Sequence, residues 1–173
     1  GTDNRYLEAA RWEFARGRPW EPSEIQSGKP VCILGETVRA DLFGFADPVG
    51  EQVRIKNMAC EVIGLLQSKG ASTFGADQDD FVLMPYRTFH RRIAGNTDVS
   101  TIYVSVREGV STERATEEIE ALMRDRRRIG AGEDDDFDVM DMEQIATMLS
   151  GITDILTGLL SAVAAVSLLV GGI

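Results

Sequence analysis

The stretch KGASTFGADQDD, residues 69–80, gathers the groups most suited to specific contact: a lysine, two glycines, one aromatic ring and three carboxylates. Lys69, Gly70, Phe74 and Gly75 read as a flexible loop, followed by Asp77, Asp79 and Asp80. Two uses fit those residues. The loop meets a partner molecule, or it is a linker whose aspartates cap neighbouring backbone amides. A second acidic run, residues 133–143, holds seven of the chain's 28 acidic residues. Neither run has the spacing of a calcium loop. A frame opened at Asp77 puts Val82 at the required glycine and Thr88 at the required glutamate; one opened at Asp134 puts Val139 and Ile145 there. Solvated loops are expected in both places, and no metal.

Catalysis finds little to work with. His90 is the sole histidine, without an acidic, Cys or Ser partner in motif spacing, and is expected on a helix surface. Cys32 and Cys60 lack CxxC spacing, which argues against a zinc or redox motif. Each sits in an apolar run, so buried free thiols and a disulfide between neighbouring strands both remain open. No GxxxxGK[ST] occurs, and this chain is expected neither to hydrolyse ATP nor to hold any other cofactor. A net charge of −10 argues against nucleic acid as a partner.

Positioning these residues falls to a mixed set of elements. A helix is predicted over residues 3–16, capped by Asp3, with Leu7, Ala10 and Phe14 on one face and Gly17 as its stop. The proline- and glycine-rich GRPWEPSEIQSGKP reads as a loop. VCILG is a buried strand and ETVRADLFG a short helix ended by Gly44. Val53 and Ile55 alternate with Arg54 and Lys56, predicting a hairpin whose bend holds Asn57 and Met58. FVLMP is a further strand, and a short helix after Pro85 carries Phe89 and Ile93. TIYVSVRE alternates strictly. Ser111 then caps a helix striped by Ala115, Ile119, Leu122 and Met123, with Glu120 and Arg124 as an i,i+4 pair, and FDVMDM follows as a strand. These last three make a strand–helix–strand unit, expected to cross over right-handed. The chain opens on a charged, amphipathic segment rather than a secretory signal, without an initiating Met, and reads as a piece of a larger protein.

The final helix is predicted to start at Asp141 and run to residue 173. Ile145, Met148, Ile152, Ile155 and Leu159 form one apolar face. Residues 155–173 are nineteen uncharged residues, which meets the length criterion for a membrane span. Gly158, Ser161, Ala162, Ala164 and Ala165 recur along it, as where transmembrane helices pack closely. No Lys or Arg cluster immediately precedes the run, so the positive-inside rule permits everything before Asp154 to be extracytoplasmic.

GTDNRYL, GRPW, VCILGETVRADLFG, DPVGEQVRIKN, EVIGLL, KGASTFGADQDDFVLMPYRTFHRRIAG, TIYVSVRE and AVAAVSLLVGGI occur in that order. Together they resemble the extracytoplasmic domain of MacB-type ABC transporter permeases, the macrolide-exporter family related to lipoprotein-releasing and FtsX-like permeases. The resemblance implies an α+β fold: a porter-like β-α-β unit, an inserted small β-rich α/β subdomain, and a long C-terminal helix that begins the second transmembrane span. Residues 1–16 would open the fragment, with the front half of the porter-like part missing. Residues 17–99 would be the insertion and 100–140 the porter-like unit. Residues 141–154 would form a stalk and 155–173 the start of the span. The stalk face, Ile145, Met148, Ile152 and Ile155, would carry motion between membrane and outer domain.

By the same resemblance the partners would be the bacterial inner membrane, a second permease copy, an ATP-binding domain or subunit and, in tripartite members, a periplasmic adaptor and outer-membrane channel. The competing reading is the ligand-sensing ectodomain of a membrane signalling receptor; an extracytoplasmic enzyme is disfavoured by the missing catalytic constellation.

Overall fold

A computed structural model describes residues 1–72 and 75–171, and the chain divides into two units, Gly1–Ser105 and Val106–Ile173. The first unit is built on β2 (Val31–Leu34), whose four residues are all fully buried. Alternation along the strand turns Val31 and Ile33 toward one apolar cluster, with Leu7, Trp20, Ile63 and Leu66. Cys32 and Leu34 face the other, with Val53, Cys60, Val62 and Leu65. A strand covered on both faces has no polar side to alternate, which is why VCIL reads as an unbroken apolar run.

Around β2 the sheet is mixed. β4 (Met58–Leu66) lies parallel to β2, and β5 (Val82–Leu83) is antiparallel to it. β1 (Phe14–Gly17) and β3 (Gln52–Ile55) both pair antiparallel with β4. A bulge between Cys32 and Ile33 shifts the β2–β4 register from Val62 to Gly64, which lets β4 continue feeding both clusters. The β3–β4 turn holds Lys56, at φ 52°, and Asn57. The bend therefore falls one residue earlier than the side-chain pattern suggests.

Two expectations for the first thirty residues are corrected. The opening helix, α1, ends after Asn4–Ala9; Asp3 caps it, accepting from the Arg5 and Tyr6 amides. The chain then reverses through Arg11, at φ 51°, and residues 14–17 join the sheet instead of extending the helix. Pairing with β4 outweighs the helical pattern, and Gly17 is the point of closest approach rather than a helix stop. A Cβ there would stand 2.2 Å from the Ile63 carbonyl oxygen.

The proline-rich stretch contains a helix, α2 (Pro22–Ser27), with Pro22 in its first turn and left-handed Gly28 as its C-cap. Glu24, on that helix, is 4% exposed. Its carboxylate accepts from Arg18 (2.8 and 3.0 Å), Lys29 (3.2 Å) and the Glu21 amide (3.0 Å). Those partners, the Arg18 guanidinium foremost, hold the Glu24 pKa down to about 2. The prolines masked the capping signal that a glutamate three residues into a helix provides.

α3 (Glu36–Phe43) follows β2, ending at Gly44 as expected. After Pro85, α4 (Tyr86–Phe89) continues into a π-helical turn over His90–Ala94.

In the second unit, Ser111 caps α5 (Thr112–Arg127) through the Arg114 amide, as its sequence suggests. Arg124 turns away from Glu120 to pair with Asp135, and Arg127 pairs with Asp136 at 2.6 Å, so part of the acidic run closes the loop after α5. The segments TIYVSVRE and FDVMDM form no strand among the described residues. Alternation supplies a face for a strand, but a strand exists only when a neighbour takes its backbone hydrogen bonds.

α6 spans Met142–Gly171, 30 residues and about 45 Å. Asp141 caps it, accepting from the Glu143 (2.9 Å) and Gln144 (3.4 Å) amides.

Candidate functional site

The 68–80 loop is built around Asp79, 3% exposed. Its carboxylate accepts from the Ser68 hydroxyl and from the Lys69 and Gly70 amides, both at 2.9 Å. Burial alone would raise the Asp79 pKa; those hydrogen bonds outweigh it and hold the group below the usual carboxylate range. Asp77 accepts from the Thr37 hydroxyl at 2.7 Å and from the Asp79 amide at 2.8 Å, tying the loop to α3. The Asp79 carbonyl lies against Gly35, where a Cβ would come within 2.0 Å of it.

Lys69 crosses to the other side of the loop. Its ammonium donates to the Ala10 carbonyl and stands 4.0 Å from the Trp12 ring centroid. Trp12 in turn stacks edge-on against Phe81. Further out, Ala71 and Asp77 bridge as in a narrow hairpin, and the Gly75 amide donates to the Ser72 carbonyl at 2.8 Å.

Of the residues singled out by sequence, Lys69, Asp77 and Asp79 thus spend their polar groups inside the unit. Gly75 and Asp80 are exposed, and Gly70 is half-buried. Phe74 lies outside the described residues. Within the described part of the loop the aspartates cap amides, Asp79 those of Lys69 and Gly70 and Asp77 that of Asp79. Sequence reasoning missed Trp12 and Thr37, whose partners are set only by folding.

Cys32 and Cys60 are free and fully buried on one face of the sheet. The neighbouring Cys60 thiol, together with burial, pushes the Cys32 thiol pKa up. That keeps it protonated and unsuited to nucleophilic chemistry.

α6 is the other feature with functional weight. Met142–Leu168 is long and apolar enough to cross a membrane, with hydropathy 1.7 and none of it buried. Ile145 is half-buried, while Met148, Ile152 and Ile155 are 69, 49 and 73% exposed. Hydroxyls along the helix bond back into it: Thr153 to the Leu149 carbonyl (3.0 Å), Thr157 to that of Thr153 (2.8 Å) and Ser161 to that of Thr157 (2.8 Å). Polar groups satisfied within their own helix are what an apolar environment demands.

A mixed sheet with helices, and one long, unburied helix apolar enough to cross a membrane, define an α+β chain with a candidate membrane span. Residues 1–122 match the MacB-like periplasmic core domain model, and the chain belongs to that family. The matched region is a permease's periplasmic domain, not an ATP-binding one.

Among curated proteins it is 37% identical to the macrolide export ATP-binding/permease protein MacB of Rhodospirillum rubrum, over 100% of this chain and 26% of that protein. It is 30% identical to the MacB protein of Syntrophobacter fumaroxidans, over 100% of this chain and 32% of that one. The chain therefore spans about a quarter to a third of the length of these relatives.

The fold is similar to the periplasmic region of MacB from Actinobacillus actinomycetemcomitans (TM-score 0.68, 20% identity, 86% of this chain and 63% of that one). It is also similar to the extracellular domain of the noncanonic ABC-type transporter YknZ from Gram-positive bacteria (TM-score 0.63, 21% identity, 82% and 68%).

Proposed function

We propose that this chain is the extracytoplasmic portion of an ABC-type export permease, held at the inner membrane by α6. In this reading it passes motion from cytoplasmic ATP hydrolysis to the outer domain and docks an adaptor protein there. The observation that carries the reading is α6 itself. It runs without a break from the Asp141 cap through a stretch bearing Glu143 and Asp154 into an uncharged, largely apolar one. A continuous helix is stiff along its axis, so displacement at its membrane end reaches its outer end without any residue needing chemistry of its own. Ile145, Met148, Ile152 and Ile155 are the proposed coupling face. The outer part of the 68–80 loop is the proposed contact for the adaptor or for the second permease copy. The energy source is an ATP-binding domain or subunit elsewhere in the transporter.

The test is Thr147→Pro in the full-length parent transporter. Proline removes one helical hydrogen bond and clashes with the preceding turn, costing about 3 kcal/mol or more. Export is expected to collapse while basal ATPase and membrane insertion persist. Thr147→Ala, which loses only a hydroxyl bonded back to the Glu143 carbonyl, is expected to be nearly silent. Undiminished export by a correctly inserted proline variant would sink the coupling role.

A further inference from the structure

β4 has a stretch of edge that nothing in the first unit covers. β2 joins it only from Val31 opposite Glu61 onward, because the Val31 amide donates back to the Lys29 carbonyl (2.9 Å) and turns the chain aside around Pro30. On the other side, Ile55 pairs with Met58 to close the two-residue turn, so Ala59 sits opposite Arg54 in the next, non-hydrogen-bonded position. Its N–H and carbonyl therefore point away from β3. Two residues on, the Glu61 amide points the same way and donates to the Pro30 carbonyl at 3.0 Å. Ala59 has no such partner among the described residues.

The vacant position borders a cleft of about 400 Å³, lined by Gly28, Pro30, Asn57, Met58, Ala59, Thr88 and Arg92. Its walls are fixed. The Thr88 hydroxyl donates to the Lys29 carbonyl at 2.9 Å, the Arg87 guanidinium to the Gln26 carbonyl at 2.9 Å and that of Arg91 to the Ser27 carbonyl at 3.4 Å. Arg92 is exposed, its guanidinium makes no hydrogen bond among the described residues, and it stands on the π-helical turn. Such turns recur at functional sites.

Charge around the cleft runs against that of the whole chain. Arg92 lines it, Lys56, Arg87 and Arg91 adjoin its lining residues in sequence, Arg54 sits opposite Ala59, and none of these five forms an ion pair among the described residues, while Glu61 is the one carboxylate on β4. Glu24, the buried carboxylate of α2, is already taken by Arg18 and Lys29.

We infer that this cleft binds a short, extended, acidic peptide segment of a partner protein, which adds as a strand to the free edge of β4 at Ala59 while Arg92 pairs with one of its carboxylates. Main-chain bonds to Ala59 supply the strand-addition mode, and the unpaired cations select the sign of the guest. The free edge is only about 10 Å long, room for some three guest residues. The site is then one of modest affinity that adds to contacts made elsewhere. The inference stands apart from the coupling role of α6 and is tested without transport.

The experiment uses the 173-residue chain in lipid nanodiscs. The probe is a five-residue peptide alternating valine and glutamate, acetylated and amidated at its ends. Saturable binding with a shift of the Ala59 amide resonance is expected, and the lysine-for-glutamate peptide should bind at least tenfold more weakly. Ala59→Pro removes the edge donor at a position where β3 pairing does not use it, and should weaken binding at least tenfold with Trp fluorescence unchanged. Arg92→Glu should weaken it about tenfold. N-methylating alternate amides of the peptide, which leaves the protein untouched, should abolish binding in one of the two registers. Full binding by both N-methylated peptides, or by a folded Ala59→Pro chain, overturns the strand mode. Inorganic phosphate reproducing the same shifts and displacing the peptide would make this a small-anion site and overturn the peptide assignment.

Discussion

Replacing Glu24 by glutamine tests how the α2 corner is held. The native carboxylate titrates near 2 rather than at its ordinary 4.5. A depressed acid stabilises the fold fully above its unfolded pKa and loses that contribution as pH falls through the folded value. The relevant window is therefore about pH 4.5 down to pH 2. A shift of that size corresponds to about 3 kcal/mol at neutral pH. Arg18 and Lys29 are 44 and 48% exposed at their side chains, so water screens the pair and about 2 kcal/mol is the better expectation. Trp12 and Trp20 both lie in the first unit, so Trp fluorescence during urea unfolding reads that unit alone. With a slope of about 1–3 kcal/mol per molar urea, Glu24→Gln should lower the midpoint by about 0.7–2 M at pH 7. At pH 2 variant and wild type should draw much closer together. A midpoint unchanged at pH 7, or a difference that persists undiminished at pH 2, would refute the ion-pair account.

Asp79→Asn keeps shape but removes the charge that three donors share, and should cost about 2 kcal/mol in the same urea assay while raising hydrogen exchange at the Lys69 and Gly70 amides. Gly17→Ala places a Cβ against the Ile63 carbonyl at φ 78° and should destabilise the first unit by about 2 kcal/mol or more, read as a lower melting temperature; a neutral result would mean β1 does not approach β4 so closely. Val163→Arg puts a charge near the middle of the apolar stretch of α6, and by about 2.5–3.5 kcal/mol should shift the chain from membrane to soluble fractions in an insertion assay. Unchanged insertion would tell against α6 as a span.

Much of this molecule is legible from local residue types. The buried strand VCIL, the caps at Asp3, Ser111 and Asp141, the stop at Gly44 and the apolar run of α6 each follow from a periodicity or a capping group acting within one turn or strand. Such interactions span a few residues, so sequence carries them whole. What the chain left undecided depends on partners far apart along it. Residues 14–16 read as helix until β4 takes their backbone, and TIYVSVRE reads as strand though no described neighbour takes its own. Lys69 reads as part of a flexible loop until folding sets it over Trp12. The bare edge at Ala59 has no sequence signature, because it arises where two other segments fail to meet. Backbone hydrogen bonds must be satisfied by something, and which segment satisfies them is a property of the tertiary structure alone.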